Sequence, residues 1–268
     1  MIANARMYSV NAATADAWRA LLEWVTARAG IACEVIDYPP PQPLSALWAR
    51  SDLAAAFMCG YPFALASARP TLLAAPVPAM ERCGGEPVYW TDIVVRADSP
   101  FNTLADIFGR RFAYTSPDSQ SGYQAPRRLL AAHAAARGGR LFAATVGPLV
   151  TPRRVVEAVI GRECDAGPLD GYWHELLRAT EPALARRLRV IAMTEPTPIP
   201  ALVAASAVAA SATARLVDAL LAVEGAHELA PLRAQLRLQR FVTLPAARYD
   251  GLVAHAREAD ALDYVRIA

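Results

Sequence analysis

Apolar residues recur at helical spacing from Thr14 to Ala29, where Ala17, Trp18, Leu21, Leu22 and Val25 share one face and Gly30 follows as a stop. A short N-terminal strand precedes this helix. Glu34 to Ile36 is strand-like, Tyr38 to Pro43 is a proline-rich turn, and Leu53 to Met58 is an uninterrupted apolar run. A helix can open at Pro62, because proline suits the first helical position, and Thr71 to Ala75 supplies the next strand. Strand and helix alternate, which predicts a parallel sheet.

The extended stretch Val88 to Arg96 interrupts this alternation, which then starts afresh. Arg111 to Tyr114, Leu141 to Val146 and Asp165 to Leu169 read as strands, and Pro152 to Ile160 as a helix. Arg189 to Thr194 is a second extended stretch, followed by Pro196, Pro198 and Pro200. Reading both stretches as crossings predicts two α/β lobes joined by a hinge. Residues 1–90 and 192–268 form the first, discontinuous lobe, and residues 91–191 form the second. A helix near Ala212 to Val223, stopped at Gly225, and later helical patterns to Leu262 are expected to rejoin the first lobe.

The most informative local feature is Asp118-Ser119-Gln120-Ser121-Gly122-Tyr123, which lies between the strand at Arg111 to Tyr114 and an apolar helix over Leu129 to Ala136. Hydroxyls and a glycine at a strand-to-helix turn let N–H and O–H groups converge where the helix dipole favours an anion. Ser119 or Ser121 could instead serve only as a helix cap. Asp170 ends the strand at Asp165 to Leu169 and precedes a helix, so it is both a ligand acceptor and an N-cap candidate at a sheet edge. Tyr8, Tyr61 and Tyr89 fall at strand ends or crossings, where a hydroxyl-bearing ring can wall a cleft. Cys59-Gly60-Tyr61-Pro62 has the form of a second strand-to-helix turn, with no base nearby to make Cys59 a nucleophile.

Composition narrows the function. Hydrophobic residues make up 54% of the 268 residues and charged residues 19%, with no apolar run long enough to span a bilayer. The net charge is +2, and the arginines are scattered rather than gathered into a stripe, which argues against a nucleic-acid partner. No lysine occurs in the chain, so a Walker-type loop, a pyridoxal Schiff base and a lysine-dependent kinase site are all excluded. Cys33, Cys59, Cys83 and Cys164 lie far apart without a C-x-x-C pair, and His133, His174, His227 and His255 match no metal or triad spacing. No metal or other cofactor is expected. Arg127 and Arg128 follow the hydroxyl turn and are read as solvated helix residues.

The order of these features resembles the phosphate, phosphite and phosphonate-type substrate-binding proteins of bacterial ABC importers, of the type II periplasmic binding protein fold. The resemblance runs nearly end to end. It rests on Met7-Tyr8 at the first strand, Cys59 through Pro62, and Tyr89 through Arg96 followed by Asp98-Ser99-Pro100. It continues through Leu104-Ala105-Asp106, Gly109 through Phe112, Asp118 through Tyr123 with Pro126, and Asp165 through Tyr172. It implies a monomeric, non-catalytic protein that captures a small anion in a cleft between two lobes by hinge closure and delivers it to a permease. Ser119, Gln120, Ser121 and Gly122 would hold the anionic head, Tyr8, Tyr61 and Tyr89 would face it from the other lobe, and Asp170 would read a polar substituent.

Two positions depart from the pattern. Gln120 stands where a small hydroxyl residue is usual, and Gly147-Pro148-Leu149-Val150 replaces a polar, histidine-bearing turn. The resemblance implies a periplasmic location, whereas Met1 to Val10 lacks the features of a signal peptide and, as a native start, would leave the chain cytoplasmic. A cytosolic enzyme on the same fold, like those of the menaquinone pathway, is the alternative; the sensing lobes of a transcription regulator fit less well.

Overall fold

Leu53–Met58, buried at every position, lies inside a six-stranded sheet. In the computed structural model, which describes residues 1–268, this sheet belongs to a unit made of Met1–Val88 and Pro198–Tyr249. Its strands run in the order Leu238–Val242, Thr71–Pro78, Ala201–Ala204, Leu53–Met58, Ile2–Asn4 and Glu34–Val35. Ile2–Asn4 is parallel to both its neighbours, while Ala201–Ala204 enters antiparallel between Leu53–Met58 and Thr71–Pro78. The sheet is therefore mixed.

The first long helix spans Ala12–Arg28, two residues earlier than the apolar spacing predicts, because Asn11 caps it. The Asn11 side chain accepts from Thr14 N at 3.0 Å, and Thr14 Oγ1 accepts from Asn11 N at 3.0 Å, a reciprocal capping box. Trp18, Leu21, Leu22 and Val25 are buried, as their spacing requires. Tyr8 is placed by a 3₁₀ turn, Arg6–Tyr8, and not by the first strand itself, which ends at Asn4. Its ring meets Phe57 edge-on at 5.0 Å, and Trp18 meets Phe57 at the same separation.

Tyr89–Thr197 and Asp250–Ala268 make the second unit. Its sheet has the order Leu188–Met193, Thr91–Arg96, Ala166–Asp170, Arg111–Ala113 and Ala144–Val146. Thr91–Arg96 is antiparallel to both neighbours, and Arg111–Ala113 is parallel to both of its own. The two stretches read as crossings are thus mainly strands of this sheet. The strand expected over 141–146 is confined to Ala144–Val146, because Leu141 and Phe142 turn into a core with Ile107, Phe112 and Leu130.

The C-terminal residues correct the sequence reading. Residues 250–268 pack in the second unit and not in the lobe that contains residues 198–249. The reason is specific bonding: Arg127 Nη1 reaches Asp260 Oδ1 at 2.6 Å and the Tyr264 carbonyl at 2.8 Å, and Leu141 N donates to the Ala268 carbonyl at 2.7 Å. Tyr264 and Ile267 join the same apolar core. No helix is long and apolar enough to cross a membrane.

Candidate functional site

Chain leaving Arg111–Ala113 turns through residues 114–119 into a π-helical turn, Gln120–Gln124, and then the helix Ala125–Ala135. Ser119 is the cap. Its side chain accepts from Gly122 N at 3.0 Å, and its carbonyl accepts from Gln124 N at 3.0 Å to close the wide turn. Gly122 must lack a side chain, since a Cβ there would sit 1.8 Å from Thr115 Oγ1 and 2.9 Å from Ser119 Oγ. The early N–H groups of such a turn have no acceptor within the helix and face the same end as the positive dipole.

Asp170 ends Ala166–Asp170 and caps the helix Gly171–Thr180. Its Oδ1 accepts from Tyr172 N and Trp173 N, each at 3.0 Å. Ser121 Oγ donates to the other oxygen, Oδ2, at 3.4 Å. Two helix N-termini therefore meet at one hydroxyl and one carboxylate. Thr91 fixes the approach: it pairs with Asp170 across the sheet, and its Oγ1 donates to the Ser121 carbonyl at 2.9 Å. Gln120, Ser121, Gly122 and Asp170 are buried, and Ser119 is half-buried.

The second unit thus brings together Ser119, Gln120, Ser121, Gly122 and Asp170. Tyr89, buried, stands two residues before Thr91, and the intervening Trp90 carbonyl accepts from Gly171 N at 2.9 Å. Tyr8 and Tyr61 belong to the first unit, where Tyr8 is fully buried and Tyr61 is the half-buried second residue of the helix Gly60–Leu65. That helix opens two residues before Pro62. Cys164 is not a nucleophile in waiting, because burial pushes its thiol up to about 12.

Three features of the site's surroundings escape sequence reading. Thr91 and Thr115 carry no motif. Asp92 accepts from Trp90 Nε1 at 2.9 Å and holds His174 Nδ1 at 2.7 Å, forming a buried set behind Asp170 whose members lie 82 residues apart. Arg127, read as a solvated residue, is buried and saturated with hydrogen bonds. Only its i, i+3 spacing from Gln124 gives a hint in the sequence.

Several solved structures share the fold. A binding protein component of an ABC phosphonate transporter from Pseudomonas aeruginosa superposes with a TM-score of 0.73 at 19% identity, covering 98% of this chain and 96% of that one. PhnD1 from Prochlorococcus marinus, in complex with methylphosphonate, gives 0.75 at 15% identity, covering 97% and 98%. A Xanthomonas citri protein bound to ATP gives 0.63 at 19% identity, covering 99% of both chains. A search of curated proteins finds no match. The family model of the phosphonate ABC transporter periplasmic substrate-binding protein matches residues 8–249. By that match, which takes in most of the sequence, the chain belongs to the family of periplasmic substrate-binding proteins of phosphonate ABC transporters, a transport component and not a catalyst.

Proposed function

We propose that this chain captures a small ligand with a phosphonate- or phosphate-like head at the turn Ser119–Gly122 and hands it to an ABC permease. The reading rests on one observation above the rest: the N-termini of two helices, Gln120–Ala135 and Gly171–Thr180, meet at Ser121 and Asp170. Backbone N–H groups and the Ser121 hydroxyl are the donors for the anionic oxygens. Tyr89, in the same unit as the turn, supplies a further hydroxyl in this reading. Charge-assisted bonds contribute about 1.5 to 3 kcal/mol each, so a few of them reach the roughly 8 kcal/mol of micromolar affinity.

Asp170 gives this seat a preference. A carboxylate only accepts, so it suits a ligand that carries a donor beside its charged oxygens, such as the remaining hydroxyl of a phosphonate or phosphate monoanion, or a nearby amine. It disfavours a fully deprotonated head. A thermal-shift panel of phosphate, phosphite, alkylphosphonates, sulfonates and small carboxylates is the direct test. At least one phosphorus oxyanion should raise the melting temperature, and sulfonates should raise it less. No shift from any member of the panel would overturn the proposal.

A further inference from the structure

A guanidinium placed in a core is costly unless each of its five N–H groups finds an acceptor, and Arg127 meets that condition. Nε and Nη2 both donate to Gln124 Oε1, at 3.1 and 2.9 Å. Nη1 donates to Asp260 Oδ1 at 2.6 Å and to the Tyr264 carbonyl at 2.8 Å, and Nη2 also reaches the Ala256 carbonyl at 2.8 Å. Stability alone does not call for such a residue, since an apolar side chain of similar volume often serves a core as well or better. The arrangement fixes a geometry instead.

That geometry is the ligand turn. Gln124 is the last residue of the π-helical turn, and its Nε2 donates to the Pro117 carbonyl at 2.7 Å, while its backbone N donates to the Ser119 carbonyl at 3.0 Å. One amide therefore ties the entrance of the turn to its exit. Its Oε1 is held by Arg127, whose remaining donors are anchored on residues 256–264. A second tie runs from Ile267 N to the Tyr123 hydroxyl at 3.2 Å.

We infer that Arg127 is a positioning residue for ligand capture: with Gln124 it transmits the fixed C-terminal segment 250–268 to the turn Ser119–Gly122 and sets the direction of that turn's donors. The inference rests on the proposed role of the turn in binding, and its test separates the two. Arg127→Met is compared with Arg128→Ala, which breaks a contact between the same two helices, Arg128 Nε to Glu258 Oε2 at 2.5 Å, without touching the turn. Methylphosphonate and phosphate affinities are measured well below each melting temperature, and backbone hydrogen exchange over residues 119–124 is followed without ligand.

Arg127→Met should weaken binding about tenfold or more and speed exchange in the turn by a similar factor, and Gln124→Leu added to it should cost less than the two single substitutions combined, since the two side chains share the bonds between them. Arg128→Ala should lower the melting temperature and leave both readouts within about twofold of the wild type. If Arg127→Met does not fold, Gln124→Leu alone, which keeps the bonds of Arg127 to residues 256–264, is judged by the same two readouts. Should the wild type bind neither these probes nor any other member of the panel, the anion reading fails, while the exchange data still decide the role of Arg127 in holding the turn. Unchanged exchange over residues 119–124 together with unchanged affinity overturns the inference.

Discussion

The Ser121 hydroxyl donates to Oδ2 of Asp170 across 3.4 Å, well beyond the usual 2.7 to 2.8 Å of an O–H···O bond. A bond that long is readily surrendered to a better acceptor. Ser119, in contrast, is committed to Gly122 N at 3.0 Å. The two serines of the motif thus hold different offices: the first shapes the turn, and the second has a loosely held hydroxyl that the proposed anion would claim.

Alanine at each position should separate these offices. Ser121→Ala is expected to weaken phosphonate binding by about tenfold or more with little change in stability. Ser119→Ala is expected to lower stability by about 1 kcal/mol through loss of the cap, with a smaller change in affinity. Calorimetric titration and denaturant unfolding of both variants check the contrast. Equal effects of the two substitutions on affinity would contradict it.

Gly122→Ala should damage the turn itself. The new methyl group would fall 1.8 Å from Thr115 Oγ1, and that hydroxyl is buried with its Cβ only 2.9 Å away. Overpacking of this kind costs about 1 to 3 kcal/mol, so a drop in melting temperature with loss of binding is expected. Thr115→Ala in the same chain should restore part of the stability, because it removes the nearest atom and leaves the next.

Asp92→Ala probes the buried set behind Asp170. The substitution withdraws the acceptor from Trp90 Nε1 and from His174 Nδ1, each bonded within 2.9 Å. Loss of a buried partner of this kind costs about 1 to 3 kcal/mol, and urea unfolding should show it. A stability equal to that of the wild type would mean that the fold does not depend on the bonds of this carboxylate to Trp90 and His174.

Acid should act through His255. Burial lowers its imidazole from the usual 6.5, the neighbouring Arg128 cation adds to the effect, and Glu258 opposes it. The unfolded chain therefore takes up this proton at a higher pH than the folded chain does. Stability contributed here is complete above 6.5 and is lost as pH falls from 6.5 through the lowered folded value. Melting temperatures between pH 7 and pH 5 should fall less steeply for His255→Gln than for the wild type.

Much of the molecule was legible in local pattern. Leu53–Met58 and Pro152–Ile160 lie where apolar runs and a proline start place them, and Ser119–Gly122 occupies the strand-to-helix turn that its residue types imply. Local pattern could not reveal pairings made across the sequence. Arg127 looks solvated until Asp260 and Tyr264, far along the chain, are folded onto it, and the same contacts move residues 250–268 out of the expected lobe. His174 likewise acquires meaning only from Asp92. Apolar pattern alone extends the strand at Ala144–Val146 back to Leu141, because Leu141 and Phe142, as apolar as any strand residue, serve the core from a loop.

The late arrival of residues 250–268 in the second unit has a consequence for synthesis. A nascent chain that has reached Thr197 already contains every strand of that unit's sheet, yet Arg127 has none of its C-terminal acceptors, and the whole 198–249 stretch must still be made. Closing contacts this distant in sequence is slow, and domains otherwise tend to fold as they emerge. A ribosome that has made residues 1–197 thus holds a unit whose sheet is complete while the turn Gln120–Gln124 still waits for its anchor on residues 256–267.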